Sequence, residues 1–170
     1  MTQTDNLVSK AKKGDKTAFV NLMQMNEKYM YRVAVTVLKN DSDIGDAMQD
    51  TILTCFQKIT TLKKDKYFKT WLTRILLNKC YDIINQNKKS ISLEEISEIT
   101  YESNDFFNVE NSSLDKLCDN SRLVMTLFYK GGFSIKEIAK ITGLNPNTVK
   151  TRLSRGRQEY KRKLEKEGVI

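Results

Sequence analysis

The stretch SIKEIAKITGLNPNTVKTRLSRGRQEY, from Ser134 to Tyr160, decides the fold of the C-terminal part of this chain. Ile135, Ile138 and Ala139 fall at i, i+3 and i+4, which sets three apolar side chains on one helical face. Ser134 is a natural N-cap for that helix. Gly143 can take the positive φ that ends a helix, and Leu144 can turn back between two helices. Asn145 and Pro146 then restart helical structure, since Asn caps open N–H groups and Pro at the first helical position gives up no bond. The second helix is expected from Pro146 to at least Tyr160. At about 100° per residue, Val149, Leu153, Gly156 and Tyr160 share its packing face. Asn147, Lys150, Thr151, Ser154, Arg155 and Gln158 line the other, a row of amide, hydroxyl, ammonium and guanidinium groups. Such a face suits a DNA major groove. A solvated αα-hairpin shares the binary pattern, but the order Ala, Gly, Asn-Pro, interior Val is more particular and points to a helix-turn-helix.

With 170 residues, 39% hydrophobic and 29% charged, the chain has room for one or two small domains with real cores. It has no apolar run of transmembrane length, and the polar start MTQTDNLVSK is no secretion signal, so a cytoplasmic protein without membrane insertion is expected. Cys55, Cys80 and Cys118 are widely spaced and His is absent, which removes the ligands for a zinc site and the pattern of a disulfide framework. No metal or cofactor is expected. The commonest general base is missing too, as are a Gly-rich phosphate loop and a Ser-centred elbow, so an enzyme is not expected. The net charge of +8 fits a polyanionic partner. Its distribution says more: residues 1–88 carry 15 basic against 9 acidic side chains, residues 89–121 carry 2 against 8, and residues 134–170 carry 10 against 4. Two basic ends flank an acidic middle.

Residues 5 to 39 read as two helices split at Lys13, Gly14 and Asp15, with Phe19, Leu22, Met23, Tyr29, Tyr31, Val33 and Val37 as apolar faces. The next helix, about Ser42 to Ile59, carries Ile44, Ala47, Met48, Ile52 and Cys55 on one side. Asp43, Asp46 and Asp50 lie within about 60° of one another on another side, with Gln49 beside them. Acids near a helix N-terminus complement its dipole, which suits Asp43 and Asp46 better than Asp50. The row could equally meet a basic partner helix. After a polar, basic loop, TTLKKDK at 60–66, a long helix is expected with Phe68, Trp71, Leu72, Ile75, Leu76 and Ile83 as its core stripe. Aromatic groups beside a basic loop are also what single-stranded nucleic acid uses. From Ser90 to Ser113 no period is sustained and the composition reads as an acidic linker. Helical spacing resumes at Leu114 to Lys130, through Leu117, Leu123, Val124, Leu127 and Phe128, and Gly131-Gly132 ends it.

Three segments, DSDIGDAMQDTILTCFQKI at 41–59, YFKTWLTRILLNKCYDII at 67–84 and GGFSIKEIAKITGLNPNTVKTRLSRGRQEYKRKL at 131–164, resemble in order and spacing the sigma factors of bacterial RNA polymerase. The likeness is to the short extracytoplasmic-function group. It implies an all-α chain of two small helical domains: domain 2 at 1–88 and the helix-turn-helix domain 4 at 113–170, joined by a flexible acidic linker at 89–112. By the resemblance, Asp43, Asp46, Gln49 and Asp50 dock on the clamp helices of the polymerase β′ subunit. The loop Thr60 to Lys66, with Lys63 and Lys64, captures a flipped-out base of the minus-10 element, and Asn78 and Asp82 read its upstream edge. Asn147, Lys150, Thr151, Ser154 and Arg155 face the minus-35 element. The implied partners are core polymerase through its β′ clamp and β flap, promoter DNA and an anti-sigma factor, with the chain a monomer when free of polymerase. The chain departs from the pattern at Cys118-Asp119-Asn120, where Leu-Pro often opens domain 4, and at Lys79 to Tyr81, bulkier than the small apolar residues common there.

The expected function is that of a dissociable promoter-specificity subunit that directs core polymerase to particular promoters. The rival from another class is an autonomous helix-turn-helix regulator whose N-terminal half senses a ligand or dimerises. Its signature is specific duplex binding without polymerase and a two-fold symmetric operator.

Overall fold

The computed structural model describes residues 3–92 and 114–166, and among them only helices and turns occur. The chain divides into two compact units, residues 1–98 and 99–170.

The first unit holds four helices, α1 (Gln3–Lys12), α2 (Lys16–Ala34), α3 (Asp41–Lys58) and α4 (Phe68–Ser92). Gly14, at φ 93°, makes the turn between α1 and α2, and the Asp15 carboxylate accepts from Ala18 N–H at 2.9 Å to cap α2. α2 stops five residues short of the expected Lys39. Its end coincides with the β-branched run Val35, Thr36, Val37, whose χ1 stiffness disfavours helix, and the Thr36 hydroxyl donates back to Val33 C=O. Asn40 then caps α3 by accepting from Ser42 N–H at 2.8 Å.

The core is broader than a single periodic stripe because α4 packs against both α2 and α3. Phe68, Leu72, Leu76, Leu77 and Cys80 of α4 are all buried, and Thr73 with them. Trp71, Ile75 and Ile83, expected in that stripe, are half-buried, and Trp71 leans on Phe68 at 6.1 Å between ring centres. On α3 the fully buried positions are Ile44, Ala47, Thr51 and Cys55, with the Thr51 hydroxyl satisfied by Ala47 C=O at 2.6 Å. Met48 and Ile52 are left half-exposed. Tyr31, expected on the apolar face of α2, points to solvent. Tyr29 does pack, its hydroxyl sharing a hydrogen bond with Thr73 at 2.9 Å, and burial pushes the phenol up to about 12.

Between α3 and α4 the chain makes two 3₁₀ turns, Ile59–Thr61 and Asp65–Tyr67. The expected linker at 89–112 lies outside the described residues except at its start, where α4 runs on to Ser92.

The second unit holds α5 (Leu114–Tyr129), α6 (Ile135–Thr142) and α7 (Pro146–Lys166). α5 ends as expected at the glycine pair: Gly132 takes φ 71°, and a Cβ on Gly131 would lie 2.4 Å from Leu127 C=O. Ser134 caps α6, and Glu137 closes a reciprocal capping box, accepting from Ser134 N–H at 2.9 Å while its own N–H reaches the Ser134 hydroxyl. The Ser134 N–H first, and then the Ser134 hydroxyl at 2.8 Å, donate to the Glu137 carboxylate and hold it below the usual carboxylate range. Gly143 takes φ 74° at the end of α6, and Leu144 is buried in the turn, as the sequence predicts.

Replacing Ser134 by Ala should cost about 1 kcal/mol, the usual worth of a Ser cap, read from denaturant unfolding. Because the folded state depresses the Glu137 pKa, the box contributes fully above the ordinary carboxylate range and fades as pH falls through and below it. The gap between wild type and the Ser134→Ala variant should therefore narrow in acid.

Candidate nucleic-acid interface

Val149 and Leu153 are buried, and Gly156 lies against α5, where a Cβ would meet Met125 Cγ at 2.7 Å and Ser121 Cβ at 3.5 Å. That seating fixes the rotation of α7. Asn147, Lys150, Thr151, Ser154, Arg155 and Gln158 are consequently all exposed. Asn145 caps the helix by accepting from Asn147 N–H at 2.9 Å. The Thr151 hydroxyl donates to Asn147 C=O at 3.0 Å, so its remaining lone pairs and methyl face outward. Tyr160 departs from expectation and is exposed: every described side chain of α7 from Arg157 onward is exposed. Arg157, which the sequence did not single out, donates through Nε to the Tyr129 hydroxyl at 2.8 Å and lies 5.8 Å from the Phe128 ring centre, bracing α7 against the end of α5.

In the first unit Thr60, Lys63, Lys64 and Lys66 are exposed around the two 3₁₀ turns, while Leu62 between them is buried. Lys66 Nζ lies 5.1 Å over the exposed Tyr67 ring. Asn78 and Asp82, one turn apart on α4, are both exposed. Lys69 is turned inward instead, 4.7 Å from the Tyr29 ring centre, and burial lowers its pKa.

On α3, Asp46, Gln49 and Asp50 are exposed and Asp43 is half-buried. The row is partly compensated from α4: Asn87 Nδ2 donates to Asp43 at 3.1 Å, and Lys79 Nζ stands 4.0 Å from Asp50. Beside Gln49 the surface turns apolar. An open groove between α2 and α3, with a cavity of about 430 Å³, is lined by Phe19, Val20, Met23, Met48 and Ile52. Leu53 and Phe56 extend it, and Val20, Leu53 and Phe56 are each about half exposed. Sequence reading missed this groove. The signal was present in Leu53 and Phe56, apolar residues off the α3 core stripe.

Cys55 and Cys80 do not suit nucleophilic chemistry. Burial pushes the thiols of Cys55 and Cys80 up to about 12, far from the thiolate at neutral pH. The Cys118 side chain lies outside the described residues. Among the described residues no cluster of acids or cysteines could hold a metal ion, and no helix is long and apolar enough to cross a membrane.

Residues 22–90 match the family model for sigma-70 region 2, and residues 112–159 match that for sigma-70 region 4. RNA polymerase sigma factor SigV of Bacillus subtilis is 28% identical over 164 residues, covering 94% of this chain and 99% of its own. The extracytoplasmic-function sigma factor SigW of the same organism is 26% identical and covers 92% and 94%. The chain belongs to the extracytoplasmic-function sigma factors. This sigma factor also shares its fold with the solved structure of sigma factor RpoE in complex with the anti-sigma factor NepR from Bartonella quintana. The TM-score is 0.66 at 21% identity, with 86% of this chain and 96% of that one covered. Family membership favours transcription initiation with RNA polymerase over an autonomous helix-turn-helix regulator.

In this sigma factor the closeness of α7 to α5 should govern how firmly the exposed row is held. Gly156→Val should destabilise the chain by about 1–3 kcal/mol through overpacking against Met125, measured by denaturant unfolding. Gly156→Ala should cost less, because the gain in helix propensity partly offsets the clash.

Proposed function

We propose that this sigma factor docks on core polymerase through α3 and reads its promoters through two separate surfaces. Asp46, Gln49 and Asp50, with Asp43 at the N-terminal end, meet the basic face of the β′ clamp helices. The apolar groove of Phe19, Val20, Ile52 and Phe56 beside them supplies the buried centre that an acidic row alone lacks. The loop carrying Thr60, Lys63, Lys64 and Lys66 holds the melted minus-10 strand, and Asn78 and Asp82 read its upstream edge. Lys150, Thr151, Ser154 and Arg155, with Asn147, read the minus-35 duplex while the second unit docks on the β flap.

The observation that supports this reading most is the exposed row on α7, set by the burial of Val149 and Leu153, in a chain both of whose halves match sigma-70 regions. Phosphate contacts supply affinity and base edges supply the choice of site. Each surface is small, and joining both to one polymerase raises their effective concentration on the promoter. The chain performs no bond chemistry itself, works in the cytoplasm and is a monomer when free of polymerase. An anti-sigma factor restrains it, as NepR binds the RpoE to which this fold is similar.

Run-off transcription with core polymerase on genomic fragments tests the reading. Discrete transcripts that appear only with the protein, each starting a fixed distance from a shared two-block motif, are expected. Their absence, together with polymerase-free binding to a palindromic duplex, would return the chain to the autonomous regulators. Asp50→Arg should weaken holoenzyme formation by roughly tenfold or more, as expected for a like-charge contact at a docking surface, with the helical circular dichroism unchanged. Arg155→Ala should lose about 1–3 kcal/mol at particular minus-35 base pairs and little elsewhere, measured on a panel of single-base promoter variants. A uniform loss across the panel would make Arg155 a phosphate contact instead.

A further inference from the structure

Lys12 ends α1, about fifty residues before the basic loop in sequence. Its ammonium nevertheless donates to Leu62 C=O at 2.8 Å and to Asp65 Oδ1 at 2.8 Å. The two charged side chains are only 25% and 28% exposed, so the pair is shielded more than an ordinary surface ion pair. α1 also packs against both 3₁₀ turns that bracket the loop. One ammonium therefore fixes two points of the loop, and the two residues between them, Lys63 and Lys64, are both exposed. The second consequence is electrostatic. Asp65 is the one acid between Thr60 and Lys66, and a carboxylate there would repel a phosphate strand. Pairing with Lys12 neutralises it and leaves Lys63, Lys64 and Lys66 as the loop's net charge.

We propose that Lys12 is a positioning residue for promoter recognition, holding the loop from Thr60 to Lys66 in the shape in which its lysines meet the melted strand. This rests on the reading of that loop given above. A role for the first helix follows: through Lys12, α1 sets how well a promoter base is chosen.

The test uses holoenzyme made from the full chain and core polymerase. A promoter is first selected by the wild-type holoenzyme from a randomised duplex. Single-stranded oligonucleotides with the selected minus-10 sequence, carrying each of the four bases at its most selective position, are then bound and followed by fluorescence anisotropy. Wild type should discriminate the best from the worst base by roughly tenfold or more, the low end of what one mismatched position costs. Lys12→Met should reduce that ratio to about threefold or less, with holoenzyme formation and minus-35 duplex binding unchanged, and Lys12→Arg should restore it. Asp65→Ala probes the same link from the loop side and decides the matter should Lys12→Met fail to fold. A ratio unchanged in both variants, when combined Lys63→Ala, Lys64→Ala and Lys66→Ala weakens strand binding, overturns the proposal and leaves the reading of the loop intact. Equal weakening for all four bases reduces Lys12 to a structural part and overturns it as well. A triple lysine variant that binds the strand as wild type does removes the reading of the loop, and the proposal with it.

Discussion

Burial of Val149 and Leu153 is the contact on which the exposed polar row of α7 depends. A helix has one rotational freedom about its axis, and fixing two apolar side chains one turn apart removes it. Lys150, Thr151, Ser154 and Arg155 are then exposed. The supporting pieces serve that rotation. Gly156 lets α7 lie close to α5, Gly143 turns the chain without strain, and the capping box of Ser134 and Glu137 stops α6 from fraying at the end that enters the motif. Arg157, spread across Phe128 and Tyr129, adds a further tie near the exposed end of the helix.

The first unit solves a different problem, because it has both an acidic surface and a basic one. Asp46 and Asp50 on α3 and Lys63, Lys64 and Lys66 beyond its end would attract each other's partners if the charges were mixed. The structure separates them by sequence along one helix and its following loop, and tempers each locally. Asn87 and Lys79 engage Asp43 and Asp50, while Lys12 engages Asp65. The contacts to Asp43 and Asp50 are exposed and worth little to stability. Their effect is on which sign of charge each surface presents. Lys79, read in the sequence as bulkier than the family pattern it resembles, stands here 4.0 Å from Asp50 as its counter-charge.

Much of this was legible in the sequence. The helix breaks at Gly14, Gly131-Gly132 and Gly143, the cap at Ser134, and the opposed faces of α7 follow from local rules, because a positive φ or an open N–H is a requirement that one or two residues meet. What was not legible came from packing between elements. α4 is squeezed between α2 and α3, so Leu77 and Thr73 are buried beyond any single stripe, and Met48 and Ile52 are drawn half out into a groove. Tyr31 and Tyr160 looked like core by spacing and are not, since periodicity says which residues share a face but not where the facing helix ends. The Lys12 link joins residues 12 and 65, a separation that no local pattern spans.

The groove between α2 and α3 shows why an acidic row alone was an incomplete description of that surface. Charged side chains in water gain little by pairing, and the desolvation they suffer offsets much of the attraction. A docking surface acquires affinity from apolar area removed from water, at roughly 25 cal/mol per Å², and orientation from the charges around it. Val20, Leu53 and Phe56, each about half exposed, would be an aggregation hazard on a chain that lived alone. With Asp46, Gln49 and Asp50 exposed nearby on α3, they have the make-up of a docking surface, an apolar centre with a charged rim. On such a surface charge sets orientation and an apolar centre supplies the hold.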